Sequence, residues 1–363
     1  MKVWQIAAGE VGRYYEELFI EHDVMFMGPG EHGKFDDQLY QKKVELKQLT
    51  NHKKNQIGSF VNAPVSGDIV LLRKGYYIDS IGVVPDEGYH WSKSLDDVYG
   101  WDLQHTRRII WQEDLRTDLC KIQEKGKNPL FGDRKQIPTF TAVEDQKILE
   151  PLTKLFDKVK TRELKSFKFT TPEPLSMEMF GEELFARGLS NESVDKVVNS
   201  ILRQRRLGKW YSKNCEDKIR PTEHEVVGHM VLPLMLALGW SEQLLAVEWN
   251  KVDLAGFSET PTEREKCILI CEAKRLSHGL QSAFGQAQGY FEKLGLKNCK
   301  KILVTDGMKL YVYEMRNREW SDTPCGYFNV EKIRTNHIAP KNTNAIDTLL
   351  ALTPGRIAND MPR

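Results

Sequence analysis

Six cysteines in 363 residues, with no CxxC pair, argue against a zinc ribbon or a disulfide scaffold. Cys267 and Cys271 share one face of a short apolar run and read as small buried residues. Long apolar runs are missing as well. The longest, Val231–Trp240, is about half of the roughly 20 residues a membrane span needs, so no membrane partner is expected. Met1–Glu10 is short and mixed, without the apolar stretch of a secretory signal, and the expected location is cytoplasmic. Neither sign of charge prevails: 52 Lys and Arg stand against 51 Asp and Glu, for a net charge of +1. The chain as a whole therefore has no field that announces a nucleic-acid binder. It has no GxxxxGK[ST] phosphate loop, so any motor would be a separate chain. Repeats, low-complexity tracts and Ser/His/Asp or Cys/His hydrolase motifs are absent too. His224, His229 and His278 read as surface or packing residues.

What is present is an ordinary folding composition, 40% hydrophobic and 28% charged, at a length that suggests two or three domains. Positive charge gathers locally. Arg203, Arg205, Arg206, Lys209, Lys213, Lys218 and Arg220 face only Glu216 and Asp217, and Lys42, Lys43, Lys47, Lys53 and Lys54 face only Glu45. Either run could track a phosphate backbone; a solvated helix face is the alternative.

Residues 1–115 hold short strand-like runs set off by glycines, as in Val3–Ala7, Val24–Gly28, Ile69–Leu72, Tyr76–Val84 and Ile109–Trp111, a pattern that favours a small β-barrel. Residues 116–220 are charged and mostly helical, and read as a linker region, with a helix-turn-helix as the alternative. Helical spacing recurs over Val143–Val159, and again after Ser190, where Ser190 or Ser193 can cap a helix through Leu202. Residues 221–335 alternate helix and strand. The tail, 336–363, carries Pro, Asn and Arg and is expected to be loosely held.

The chemistry concentrates in the third region. Thr222 can cap a helix whose Val226, Val227, Met230, Val231, Leu234 and Leu238 form one apolar face. Glu223 projects within that face and Glu225 away from it, which favours Glu223 as a site residue. Pro233 should bend the helix. Strands are expected at Leu245–Trp249, Val252–Phe257, Cys267–Ala273, Lys301–Thr305 and Leu310–Glu314, with a helix over Ser277–Leu294 and a tight turn at Asp306-Gly307. Residues i and i+2 of a strand face the same way, so Glu272 and Lys274 share a cleft that Asp253 can reach from the neighbouring strand. Two carboxylates can hold Mg²⁺, and a lysine beside it can orient or deprotonate water. Gln286 and Tyr290, four apart, share a helix face that could sit at the strand ends.

Thr222-Glu223, Leu232-Pro233-Leu234, Leu238-Gly239-Trp240, Asp253, Glu272-Ala273-Lys274, Gln286-x-x-x-Tyr290 and Thr305-Asp306-Gly307 together resemble the PD-(D/E)xK nucleases. The likeness is to the branch of Mrr-like enzymes and the nuclease domains of type I restriction motor subunits. The strand acid reads Val-Asp rather than Pro-Asp. The resemblance implies an α/β/α restriction-endonuclease-like core. In it Asp253 and Glu272 bind Mg²⁺ (with Mn²⁺ as a substitute), Lys274 assists the water, Glu223 aids the metal or water, and Gln286 and Tyr290 support the cleft or contact DNA. Residues 1–115 resemble PUA-like modules of the EVE type, through Val3–Ala7, Gly67–Val70, Gly82–Val84 and Val98–Arg108. This second resemblance implies a pocket for a flipped, modified base. Its candidates are Trp4, Tyr99, Trp101 and Trp111 for stacking, Asp102 for the base edge, and His105 and Arg107 for base or phosphate; core packing is the other reading of the rings. Arg203, Arg205 and Arg206 are further DNA candidates. The joint expectation is a β-barrel reader, a helical linker and an α/β nuclease: a modification-dependent restriction endonuclease on double-stranded DNA, dimeric at least when cutting. RNA or unmodified DNA as ligand, an inactive binding module, and a subunit of a larger defence complex are the alternatives.

Overall fold

The computed structural model describes residues 1–10, 13–35, 40, 42, 50–132, 137–213, 221–276, 280–321 and 323–359. Lys43, Glu45, Lys47, Glu216, Asp217, Lys218, Arg220 and His278 lie outside these residues. The chain divides into two compact units, Met1–Thr170 and Thr171–Arg363. Among the described residues no helix is long and apolar enough to cross a membrane.

Unit 1 holds β1 (Val3–Ala7), the short pair β2 (Gly9–Glu10) and β3 (Arg13–Tyr14), α1 (Glu16–His22), β4 (Val24–Met27), α2 (Asn51–Asn62), β5 (Ile69–Lys74), β6 (Tyr77–Val83), β7 (Tyr89–Trp91), β8 (His105–Arg108), β9 (Ile110–Trp111), α3 (Arg116–Ile122) and β10 (Phe140–Ala142). A five-stranded sheet runs β10-β1-β5-β6-β9, with β1 and β5 parallel, and a three-stranded sheet runs β4-β8-β7. Neither closes, so the expected barrel is corrected to open sheets in a mixed α/β unit. Helical packing explains why. Ile69, Leu71, Ile78, Ile81 and Ile110 of the larger sheet are covered by Leu119, Phe131, Ile148, Leu152 and Leu155 rather than by more strands.

Unit 2 holds α4 (Met177–Ala186), α5 (Asn191–Lys213), α6 (Glu223–Val226), a π turn (Val227–Val231), α7 (Leu232–Ala237), β11 (Leu245–Trp249), β12 (Val252–Phe257), β13 (Cys267–Ala273), α8 (Gln281–Leu294), β14 (Lys301–Thr305), β15 (Lys309–Arg316), β16 (Glu319–Trp320), β17 (Gly326–Asn329), α9 (Ala345–Leu350) and α10 (Pro354–Asn359). The sheet order is β11-β12-β13-β14-β15-β16, with β17 also on β15. Only the β13–β14 pair is parallel among these. Its crossover is α8, whose Ala283 and Ala287 are buried. The apolar face predicted for residues 226–238 is buried throughout, in one core with Leu254, Leu269, Cys271, Leu303 and Val312. Pro233 sits at the start of α7, and the irregularity it was expected to cause is the π turn just before it.

The helical middle is not a unit of its own. Leu119, Ile148, Leu152 and Leu155 join the core of unit 1, and Phe180, Leu184, Val197 and Ile201 that of unit 2. The tail is also corrected. Ile346, Leu349, Leu350, Leu352 and Ile357 are buried in the second core, and Trp240 Nε1 donates to Leu352 O at 2.8 Å. Asn344 caps α9 by accepting from Ile346 N at 2.8 Å.

Candidate active site

Leu254 lies opposite Cys271, which sets Asp253 beside Glu272 in the next strand. Asp253 Oδ2 accepts from Ala273 N at 2.7 Å. Glu272 is 2% exposed, at the end of a strand whose every residue is buried. Lys274 Nζ donates to Glu272 Oε1 at 2.7 Å and to Gln286 Oε1 at 3.1 Å, and Gln286 Nε2 donates to Tyr290 Oη at 3.1 Å. Five predicted residues thus meet in one cluster. The i,i+4 spacing on α8 makes Gln286 a clip, with one end on the lysine and the other on the tyrosine. Lys274 N donates to Thr305 O at 2.8 Å, which fixes the lysine's backbone to the neighbouring strand.

Glu223 enters from α6. Thr222 caps that helix in a reciprocal box with Glu225, which occupies Glu225 and leaves Glu223 as the half-buried acid. Its charge acts on Asp253, Glu272 and Lys274.

The electrostatics follow from burial. Glu272 is pushed up to about 7, first by desolvation and then by the charge of Asp253, against the pull of Lys274. Burial also raises Asp253, opposed by its bond from Ala273. For Lys274, burial works against the charge, but the bond to Glu272 and the surrounding acids outweigh it and carry the ammonium above its usual range. Glu272 Oε2 is buried with no hydrogen-bond partner among the described residues. An orphaned carboxylate oxygen beside a second carboxylate suits a hard cation, which is often held by one or two carboxylates with water and phosphate filling the rest. Among the described residues no group of three His, Cys, Asp or Glu is placed to hold a metal. Asp253 and Glu272 stand side by side on neighbouring strands, and Glu223 comes from a helix end.

In unit 1 the structure separates most of the predicted base-pocket residues. Trp4 is buried, stacks on Phe140 at 5.3 Å and donates to Asp68 Oδ2 at 2.9 Å. Trp111 is buried and donates to Val24 O at 2.9 Å. Both are core residues. His105 is fully buried between Tyr89 Oη (3.0 Å from Nδ1) and Pro29 O (3.2 Å from Nε2), and burial lowers its pKa to about 4. Arg107 donates to Val61 O at 2.6 Å and Pro64 O at 2.8 Å, closing the C-terminal end of α2. Arg205 donates to Val330 O at 2.7 Å and Glu331 O at 3.3 Å. His105, Arg107 and Arg205 are thus structural pins rather than free DNA contacts; Arg203 and Arg206 are exposed.

Of the base-pocket candidates, Trp101 lines a cavity of about 390 Å³, with Tyr14, Tyr15, Tyr76, Met27 and Arg73 among its other walls. Val98 and Trp101 pair across a two-residue turn in which Tyr99 (φ 49°) and Gly100 (φ 77°) are both left-handed, so the ring is carried on a tight hairpin tip, 41% exposed. Tyr99 and Asp102 flank it; Tyr99 is buried, and Asp102 O accepts from Gly30 N at 2.8 Å. The sequence reading missed Tyr14, Tyr15, Arg73 and Tyr76. Gly75 between Lys74 and Tyr76-Tyr77 is the turn signal that marks part of this rim.

Residues 4–128 match the family model of a domain of unknown function, DUF8426. That span includes most of the cavity's walls and none of unit 2. No curated protein matches the chain.

Proposed function

We propose that the chain is a Mg²⁺-dependent endonuclease that hydrolyses DNA phosphodiester bonds at or near a modified cytosine, as in type IV restriction and phage defence. The observation that carries the reading is the cluster of Asp253, Glu272, Lys274, Gln286 and Tyr290, with one oxygen of Glu272 buried and without a partner among the described residues. The finer fold likenesses, a restriction-endonuclease-like core in unit 2 and a PUA-like, EVE-type reader in unit 1, belong to this proposal. Unit 1 would contribute the Trp101 cavity, whose aromatic walls suit a planar base. Homodimers, at least on DNA, would supply a site for each strand.

Asp253 and Glu272 would hold the metal, which stabilises charge on the phosphoryl oxygens and lowers the pKa of water. The protein's own groups then have distinct tasks. Lys274, kept protonated by Glu272, presents Nζ–H to the anionic phosphate or the attacking oxygen. Gln286 prevents the lysine from swinging away. Glu223 adds negative charge at the rim, and so favours binding of cations there.

The test is cleavage of matched duplexes carrying cytosine, 5-methylcytosine, 5-hydroxymethylcytosine or its glucosylated form, in Mg²⁺ and in Mn²⁺, with Lys274→Ala as control. The expected result is cutting of a modified duplex only, lost in the variant. Equal cutting of all four would remove the modified-base reader and keep the nuclease. No cutting under either metal would remove both.

A further inference from the structure

The outer side of α5 has no role in the cluster just described. The inner side of the helix is committed to the core: Val197, Ile201, Gln204, Gly208 and Tyr211 are buried. Outward, at helical spacing, stand Arg203, Arg206, Lys209 and Trp210, all exposed, with Trp210 at 53%. The ion pairs on this helix and on α4 use other cations, Lys196 with Glu192 and Arg187 with Asp347. The three ridge cations take part in no ion pair among the described residues. By contrast, Arg205 is pinned to two carbonyls and does not belong to the ridge.

The ridge is fixed relative to the carboxylate cluster. Gln204 Nε2 donates to Met230 O at 2.9 Å. Gly208 packs against the thioether end of Met308, which would have to shift to admit a side chain there. Met308 N donates to Asp306 Oδ1 at 2.9 Å, in the turn that follows Thr305, and Thr305 O holds Lys274 N. The helix carrying the cations is thus seated on the turn next to the candidate catalytic lysine.

A cationic row with no ion pair among the described residues, about 10 Å long at 1.5 Å per residue, complements a polyanion with regularly spaced charges. A membrane surface would require a broad apolar face, and the ridge offers one exposed ring. A flat indole among cations suits the sugar–base edge of a nucleic acid. We propose that Arg203, Arg206, Lys209 and Trp210 form a sequence-independent DNA-backbone contact that holds the substrate strand against unit 2. The choice of DNA rests on the nuclease reading.

The experiment measures binding, not cutting, so that the two readings fail separately. The full chain in EDTA is titrated against a short labelled unmodified duplex across a salt series, by fluorescence anisotropy. Arg203→Gln/Arg206→Gln/Lys209→Gln is compared with wild type and with Arg187→Gln, and far-UV circular dichroism confirms the fold. The triple variant is expected to bind about tenfold or more weakly at low salt, with the log–log salt slope reduced by about 2 to 3; Trp210→Ala should weaken binding with the slope kept. An unchanged affinity and slope in the triple variant would overturn the proposal, even if the enzyme cuts. So would wild-type protein that binds anionic phospholipid vesicles or acidic peptides through these residues but not DNA. Loss of binding in the triple variant of a chain that never cuts would keep the ridge and remove the nuclease.

Discussion

At the scale of single residues, what decides a role is whether a polar group is already used. Glu272 keeps an oxygen without a partner among the described residues, whereas Arg107 spends both terminal nitrogens on the carbonyls of Val61 and Pro64, although both residues are buried. His337 is a third kind. It is 4% exposed, packs on Tyr327 at 4.8 Å, and neither ring nitrogen has a partner among the described residues. Burial, helped by Arg334, lowers its pKa to about 4. The unfolded chain takes up this proton near pH 6.5, before the folded one does. Stability is therefore full above about 6.5 and is lost as pH falls toward 4, by up to ~3 kcal/mol for this group at one pK unit per ~1.4 kcal/mol. His337→Leu should be neutral or stabilising at pH 7.5 and should flatten the decline between pH 6.5 and 4.5. Urea unfolding of both proteins checks this, since the carboxylates common to them cancel in the difference. Parallel declines would show that His337 is not held neutral.

At the scale of elements, α8 is the test of whether the cluster is one device. Its buried Ala283 and Ala287 let it lie close to β13 and β14, and this proximity brings Gln286 to Lys274. Gln286→Ala removes the clip but no carboxylate. DNA affinity should hold while kcat falls by about tenfold or more, as expected for a lysine that samples more rotamers. Tyr290→Phe should cost less, because Gln286 keeps its bond to Lys274. Single-turnover cleavage with separately measured Kd distinguishes the two. A loss confined to Kd would make Gln286 a DNA contact instead.

These elements were legible in the sequence where period and burial coincide. The strand at Cys267–Ala273 was foreseen to the residue, and Glu272 with Lys274 followed from its alternation. Glu223 was separable from Glu225 because the helical period puts Glu223 on the apolar face and Glu225 off it. The misreadings have a different physical origin. Trp4, His105, Arg107 and Arg205 are consumed by Asp68, Pro29, Val61 and Val330, partners 46 to 125 positions away, which no local pattern reveals. Open sheets were taken for a barrel because strand runs do not disclose what covers their faces.

At the scale of the whole molecule, the chain forms two compact units, and this bears on the metal. The sheet of unit 1 is buried by Phe131, Ile148, Leu152 and their neighbours, while the core of unit 2 gathers residues from Phe180 to Ile357. Each unit has its own hydrophobic interior, so calorimetry should resolve two unfolding transitions. Both carboxylates of the cluster belong to unit 2. A cation bound there stabilises only the transition of that unit, by RT ln(1 + [L]/Kd), about 2.7 kcal/mol at a hundredfold excess over Kd. The transition that moves with Mg²⁺ or Mn²⁺ should also be the one whose acid sensitivity changes in His337→Leu, since His337 packs in the same unit. Glu272→Gln should abolish the metal shift and leave the other transition in place. If both transitions rose together in wild type, the ion would be acting through general salt effects. If neither moved, Asp253 and Glu272 would not hold a metal in the absence of DNA, and the substrate phosphate would have to complete the site.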